Sequence, residues 1–207
     1  MFLEANSRVL PLPKLRILPF PPHREYQRGD ILVGKEEIER RIDEMAHIID
    51  KKYHGQEVLL VGILTGAKKF TERLGQSLKH LGVYTSTDYI KIKSGWKNHQ
   101  HIGQPEILQD IQTDPTGKIV ILADDVFDEG HTLEFGREVL TRKGAQSVET
   151  TVLLAKPESA HEVKYRPDLI GFQMQRNGWA VGYGMDNGLD DGNVETERDL
   201  DYIFIGP

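Results

Sequence analysis

Two short, uninterrupted apolar runs constrain this chain more than any other feature. They are residues 58–64, Val-Leu-Leu-Val-Gly-Ile-Leu, and residues 118–123, which end in Ile-Val-Ile-Leu-Ala. Runs of this length bounded by turn residues fit strands buried on both faces, and strands buried on both faces belong to parallel sheets. Residues 148–154 form a third such strand. The segments between them repeat their apolar residues at helical spacing. Ile38, Ile42, Met45 and Ile49 line residues 35–52. Phe70, Leu74, Leu78 and Leu81 line residues 67–81, which Gly82 stops. Leu133, Gly136, Val139 and Leu140 line residues 132–143, which Gly144 stops. With strands at 30–33 and 85–93, the alternation predicts an α/β fold: an open, mostly parallel sheet flanked by helices, with right-handed crossovers. Shorter strands are expected near 169–172, 180–183 and 202–205.

Two segments fall outside this rhythm. Residues 1–27 carry Pro11, Pro13, Pro19, Pro21 and Pro22 and read as an extended arm, because proline blocks both helix and central strand. Residues 94–108 hold Gly95, Asn98, Gly103 and Pro105 and show no periodicity, which reads as a long functional or mobile loop. The organisation expected is therefore an arm, 1–27, and one domain, 28–207, with a mobile loop at 94–108.

Composition removes several classes of function. There is no cysteine, so disulfides, thiol catalysis and thiolate metal sites are excluded. A formal net charge of −6 argues against a protein built to grip nucleic-acid backbone. No apolar run is long enough to span a bilayer. Residues 1–15 lack a basic segment followed by a continuous apolar one, so a soluble, cytoplasmic protein is expected.

The most informative stretch is Ile-Leu-Ala-Asp-Asp-Val-Phe-Asp-Glu-Gly-His-Thr, residues 121–132. An apolar strand ends in Asp124 and Asp125, Asp128 follows, and Glu129, Gly130, His131 and Thr132 open a helix. In open α/β sheets, ligands bind beyond the carboxyl ends of the strands. A glycine turn at a helix N-terminus offers free N–H groups and a favourable dipole to phosphate. Carboxylates there suit sugar hydroxyls or a magnesium ion that carries phosphates. The paired aspartates alone would read as an acidic capping turn. The whole strand–DDxxDxGxT–helix pattern reads as a ligand site. No P-loop and no dinucleotide fingerprint is present.

That stretch resembles the phosphoribosyl-pyrophosphate (PRPP) motif of type I phosphoribosyltransferases. Four further segments resemble the hypoxanthine-guanine branch: residues 28–42 and 57–70, its first helix and pyrophosphate loop; 88–95, the strand into its hood loop; and 165–205, its purine hood. The resemblance implies Mg²⁺-dependent transfer of the 5-phosphoribosyl group from PRPP to N9 of hypoxanthine or guanine, giving a purine nucleoside monophosphate and pyrophosphate. It further implies a homodimer or homotetramer. Carried over by position, Asp124 and Asp125 hold the ribose hydroxyls and contribute to the metal site. Asp128 is the general base near N7. Glu129, Gly130, His131 and Thr132 hold the 5′-phosphate. Thr65-Gly66 is the pyrophosphate loop, whose first peptide is often cis in the family, and Arg198 contacts pyrophosphate. Lys156 donates to the 6-oxo group, Trp179 stacks on the purine beside Ala180, and Asp186 binds magnesium. Ser94, Gly95 and Trp96 belong to the hood, with Trp96 in place of a shielding tyrosine. Three positions depart from the family pattern: Thr65 where lysine is common, Glu129 where threonine is common, and Gly95 where tyrosine is usual. Lys69 reads either as a solvated surface cation or as a support for a loop or a subunit contact.

Within the family, transfer to another base such as xanthine stays open, and two readings from other classes compete. A regulatory nucleic-acid-binding member of the fold would need a basic face, against the net charge. A prenyl transferase using DDxxD would place its acids on helices, against the preceding apolar strand.

Overall fold

The computed structural model describes residues 18–19, 27–94, 96–97, 100–101, 103–157, 165–175, 177–188 and 194–206. In chain order the elements are β1 (Leu18–Pro19), β2 (Ile31–Val33), α1 (Lys35–Tyr53), β3 (Glu57–Leu64), α2 (Lys68–His80), β4 (Tyr84–Lys93), β5 (Trp96–Lys97), β6 (Gln100–His101), β7 (Glu106–Gln109), β8 (Ile119–Phe127), α3 (His131–Arg142), β9 (Ser147–Ala155), β10 (Leu169–Gln173), β11 (Ala180–Val181), α4 (Val194–Arg198) and β12 (Ile203–Ile205). Apart from residues 18–19 and 27, the proline-rich arm lies outside the described residues.

Seven strands form the main sheet in the order β1-β10-β9-β8-β3-β4-β7. All pairs are parallel except β4 with β7. The apolar runs β3 and β8 lie side by side at its centre, with Val58 to Gly62 against Ile119 to Ala123 in unbroken register. Both faces are covered, as their uninterrupted hydrophobicity requires. Ile38, Ile42, Met45 and Ile49 of α1 and Phe70, Leu74 and Leu78 of α2 pack with Leu60, Ile121 and Leu153. On the other face Leu133, Val139 and Leu140 of α3 pack with Val61, Leu122 and Val152.

A second, three-stranded sheet, β11-β12-β2, is assembled from both ends of the chain. Its strands are antiparallel, and Ile203 and Ile205 turn into the core. No described helix is long and apolar enough to cross a membrane.

Two expectations need correction. Residues 94–108 are not all loop: β5 and β6 pair as a small hairpin, and β7 runs antiparallel along β4. Only Ile107 of β7 packs inward, so the strand carries no apolar alternation to reveal it. The central strand also does not stop before its carboxylates. It continues to Phe127, with Asp124 beside Val152 and Phe127 beside Ala155, so the aspartates sit within the ladder.

Candidate active site

Beyond the carboxyl ends of β3, β8 and β9 lies a cavity of about 370 Å³. That is within the roughly 300–1,000 Å³ usual for small-ligand sites. Its walls include Thr65, Gly66, Asp125, Asp128, Lys156, Trp179, Ala180, Asp186 and Arg198. Nine positions singled out from the sequence, drawn from segments more than 130 residues apart, thus meet in one place. Val126 and Met185 complete the wall and were not anticipated; apolar residues between acids read as core filling.

Thr65 and Gly66 follow β3, and the peptide entering them, Leu64–Thr65, is cis. A Cβ at Gly66 would collide with the Asp125 carboxylate, so only glycine lets this loop lie against the acid. Asp124 does not line the cavity: it is buried, and its Oδ1 accepts the Asp125 backbone N–H at 3.0 Å. Burial raises both carboxyls above the usual carboxylate range. Asp124 rises further because Asp125 is beside it, whereas hydrogen bonds from the Asp124 side chain and the backbone, and then the Arg198 charge, draw Asp125 back.

Asp128 lies one residue past β8, and Lys156 one residue past β9. The Lys156 Nζ donates to Asp128 Oδ2 at 2.7 Å and lies 5.4 Å from the centre of the Trp179 ring. Backbone bonding ties the two strand ends together, with Lys156 N–H donating to Phe127 C=O at 2.8 Å. The Trp179 indole N–H donates to Asp186 C=O at 2.7 Å. Asp186 Oδ1 accepts from Gly188 N–H at 3.0 Å, and Oδ2 pairs with the Arg198 guanidinium, which also donates to Gly184 C=O at 2.5 Å.

The turn Glu129–Thr132 does not line the cavity but adjoins it through Asp128. Gly130 is the N-cap of α3 with φ +83°, and its carbonyl accepts Glu134 N–H at 2.9 Å. The helix begins at His131, one residue earlier than the sequence suggested. His131 Nε2 lies 3.5 Å from Glu129 Oε2. Ser94 directly follows β4, and Trp96 enters β5; Gly95 and the Trp96 side chain lie outside the described residues.

Lys69 is a loop support rather than a solvated cation. From the first turn of α2 its ammonium donates to Asp199 C=O, Leu200 C=O and Asp201 Oδ1 at 2.8, 3.0 and 2.6 Å. The loop it holds leads directly out of Arg198.

Residues 30–187 match the phosphoribosyl transferase domain family. The chain is 32% identical over 175 residues to the hypoxanthine-guanine phosphoribosyltransferase of Lactococcus lactis, covering 84% of this chain and 89% of that one. It is 28% identical to the enzyme of the same description from Bacillus subtilis, covering 84% and 91%. Among solved structures, the hypoxanthine phosphoribosyltransferase of Trypanosoma cruzi in complex with the product IMP superposes with a TM-score of 0.74 at 28% identity, covering 89% of this chain and 98% of that one. With this sheet order, the acidic strand end and these matches, the chain belongs to the phosphoribosyl transferase family, as a type I member resembling the hypoxanthine-guanine phosphoribosyltransferases.

Proposed function

We propose that this site transfers the 5-phosphoribosyl group of PRPP to N9 of a 6-oxopurine, hypoxanthine or guanine, releasing pyrophosphate and the purine nucleoside monophosphate. The observation that carries the reading is the convergence of Asp128, Lys156 and Trp179 with Asp125, Asp186, Arg198 and the Thr65-Gly66 loop around one cavity.

Each role follows from what the side chain can donate or accept. Lys156 has donors only, which suits the 6-oxo oxygen of the base and not an amino group. Asp128, already beside the Lys156 ammonium, accepts the N7 proton or a hydrogen bond from it, so electron density flows to N9 as N9 attacks the anomeric carbon. Trp179, 45% exposed, offers its ring face to the purine next to Ala180. Asp125 accepts ribose hydroxyls, and Asp124 fixes it from behind through the Asp125 N–H. The Glu129–Thr132 turn offers the 5′-phosphate its backbone N–H groups and the Thr132 hydroxyl. Arg198 and the Thr65-Gly66 backbone take the pyrophosphate. Closure of the hood carrying Ser94, Gly95 and Trp96 excludes water from the electron-poor ribose.

The described residues contain no cluster of three or more acids and histidines able to cage a metal alone. Magnesium needs no such cage, since one or two carboxylates and the substrate's phosphate oxygens complete its octahedron. Asp186 and Asp125, hard oxygen donors on one cavity wall, fit that demand. Bound there, magnesium would neutralise charge on the departing pyrophosphate.

Pyrophosphate release, followed with PRPP, Mg²⁺ and a panel of purines, tests the reading. Hypoxanthine or guanine should turn over and adenine should not. Equal kcat/KM for adenine and hypoxanthine would overturn it. Light scattering on the purified chain tests the expected homodimer or homotetramer.

A further inference from the structure

Lys156 stands one residue beyond the end of β9; its N–H is held by the Phe127 carbonyl of β8, while its carbonyl points away from that ladder's support. The last pair of the β9–β10 ladder is Ala155 with Gln173. The residue after Lys156 is Pro157, which has no N–H with which to carry the ladder further. The carbonyls of the strand end are met by the Gln173 side chain. Its Nε2 donates to the Lys156 carbonyl at 2.7 Å and to the Ala155 carbonyl at 3.2 Å. The Ala155 carbonyl also accepts from Met174 N–H at 2.8 Å, so the Lys156 carbonyl depends more on the glutamine than its neighbour does. A cavity of about 20 Å³, bordered by Phe127, Ala155, Lys156 and Gln173, lies against the same peptide. Packing is therefore incomplete on that side, and hydrogen bonds hold the segment.

We propose that Gln173 is a positioning residue for base recognition: its carboxamide clamps the Ala155–Lys156 backbone and so sets where the Lys156 ammonium meets the 6-oxo group. The inference rests on the role given to Lys156 above. Gln173 is not among the residues lining the cavity and acts through the backbone. Its loss leaves the Lys156 carbonyl without this donor, and the strand end, still tied by the Lys156 N–H and the Ala155 carbonyl, loosens on that side. A misplacement of about 1 Å at a reacting or recognition group can cost as much as 10²-fold. The Lys156–Asp128 contact limits the drift, so a smaller effect is expected, about tenfold on the KM for base.

The test compares Gln173→Met, similar in length but without donors, with Gln173→Glu, similar in size and polarity but acceptor-only when ionised. Both should raise the KM for hypoxanthine about tenfold and narrow the preference over adenine, with PRPP affinity by calorimetry unchanged. In a Lys156→Met background, Gln173→Met should add nothing further. A purely structural role would instead lower the melting temperature and weaken PRPP and base together, and would spare Gln173→Glu relative to Gln173→Met; either result overturns the proposal. If Lys156→Met damages base handling and Gln173→Met does not, only the clamp is refuted. If Lys156→Met itself leaves base handling intact, the reading of the base site fails as well.

Discussion

Replacing Gly130 by alanine probes fold and site at once. Gly130 sits at φ +83°, where a side chain costs about 1–2 kcal/mol. The added Cβ would lie 2.7 Å from Phe127 Cε2, so the ring must shift within a packed core. Overpacking of that kind costs about 1–3 kcal/mol. Together the two effects come to about 2–5 kcal/mol. At about 2–4 °C per kcal/mol for a chain of this size, the melting temperature should fall by about 4–20 °C. The same distortion moves the N–H groups offered to the 5′-phosphate. Loss of one charge-assisted bond, about 1.5–3 kcal/mol, weakens PRPP roughly 10- to 100-fold. Thermal melts and PRPP titration calorimetry measure the two effects separately. Adding Phe127→Leu should restore about 1–2 kcal/mol of stability by relieving the clash, leaving the backbone term in place. An alanine variant with unchanged melting temperature and unchanged PRPP affinity would refute both the geometry and the assignment of this turn to phosphate.

Other outcomes follow from the same contacts. Asp128→Asn should leave PRPP affinity nearly unchanged and lower turnover about 10²–10⁴-fold in steady-state assays. Lys156→Met should lose oxopurine turnover, since the base then meets no donor at C6. Trp179→Phe keeps a stacking ring but removes the indole bond to Asp186 C=O, so calorimetry should show weaker binding of Mg²⁺-pyrophosphate with little change in the KM for base; Trp179→Ala should weaken all purines alike. Asp201 is held down to about 2 by hydrogen bonds from Lys69 and Lys35. Its folded value lies below the unfolded value of about 3.9, so its contribution is complete above about pH 4 and is lost as pH falls towards 2. Melts between pH 2 and 5 should show this acid-side loss, and Asp201→Asn should flatten it; because Asp201 is half exposed, the effect is small.

The parts of this molecule written in local pattern could be read without coordinates. Continuous apolar runs announced β3 and β8, helical spacing announced α1, α2 and α3, and the spacing of Asp124, Asp125, Asp128 and Gly130 announced a site at a strand end. What escaped depends on distant partners. β7 hides because an edge strand with one inward residue has no pattern. The hood sheet joins residues 31–33, 180–181 and 203–205, and nothing within any of these segments names the other two. Arg198 is singled out only through the family resemblance; its acidic stretch by itself reads as solvated surface, and its bonds to Gly184 and Asp186 appear only in the fold. Gln173 is not singled out, since the need it meets arises on another strand.

The two residues of β1 carry a consequence for solubility. Leu18 and Pro19 lie parallel against Phe172 and Gln173, which makes them the outermost strand on that side of the main sheet among the described residues. Uncovered, β10 would present open backbone donors and acceptors, a template on which another chain can add. A two-residue cover whose second member has no N–H gives an incoming strand little to pair with. These two residues are thereby placed to guard that border against sheet-to-sheet growth. A chain cut back to begin near Gln27 would keep the cavity-lining residues but bare the border, and light scattering should show it associating more readily than the full chain.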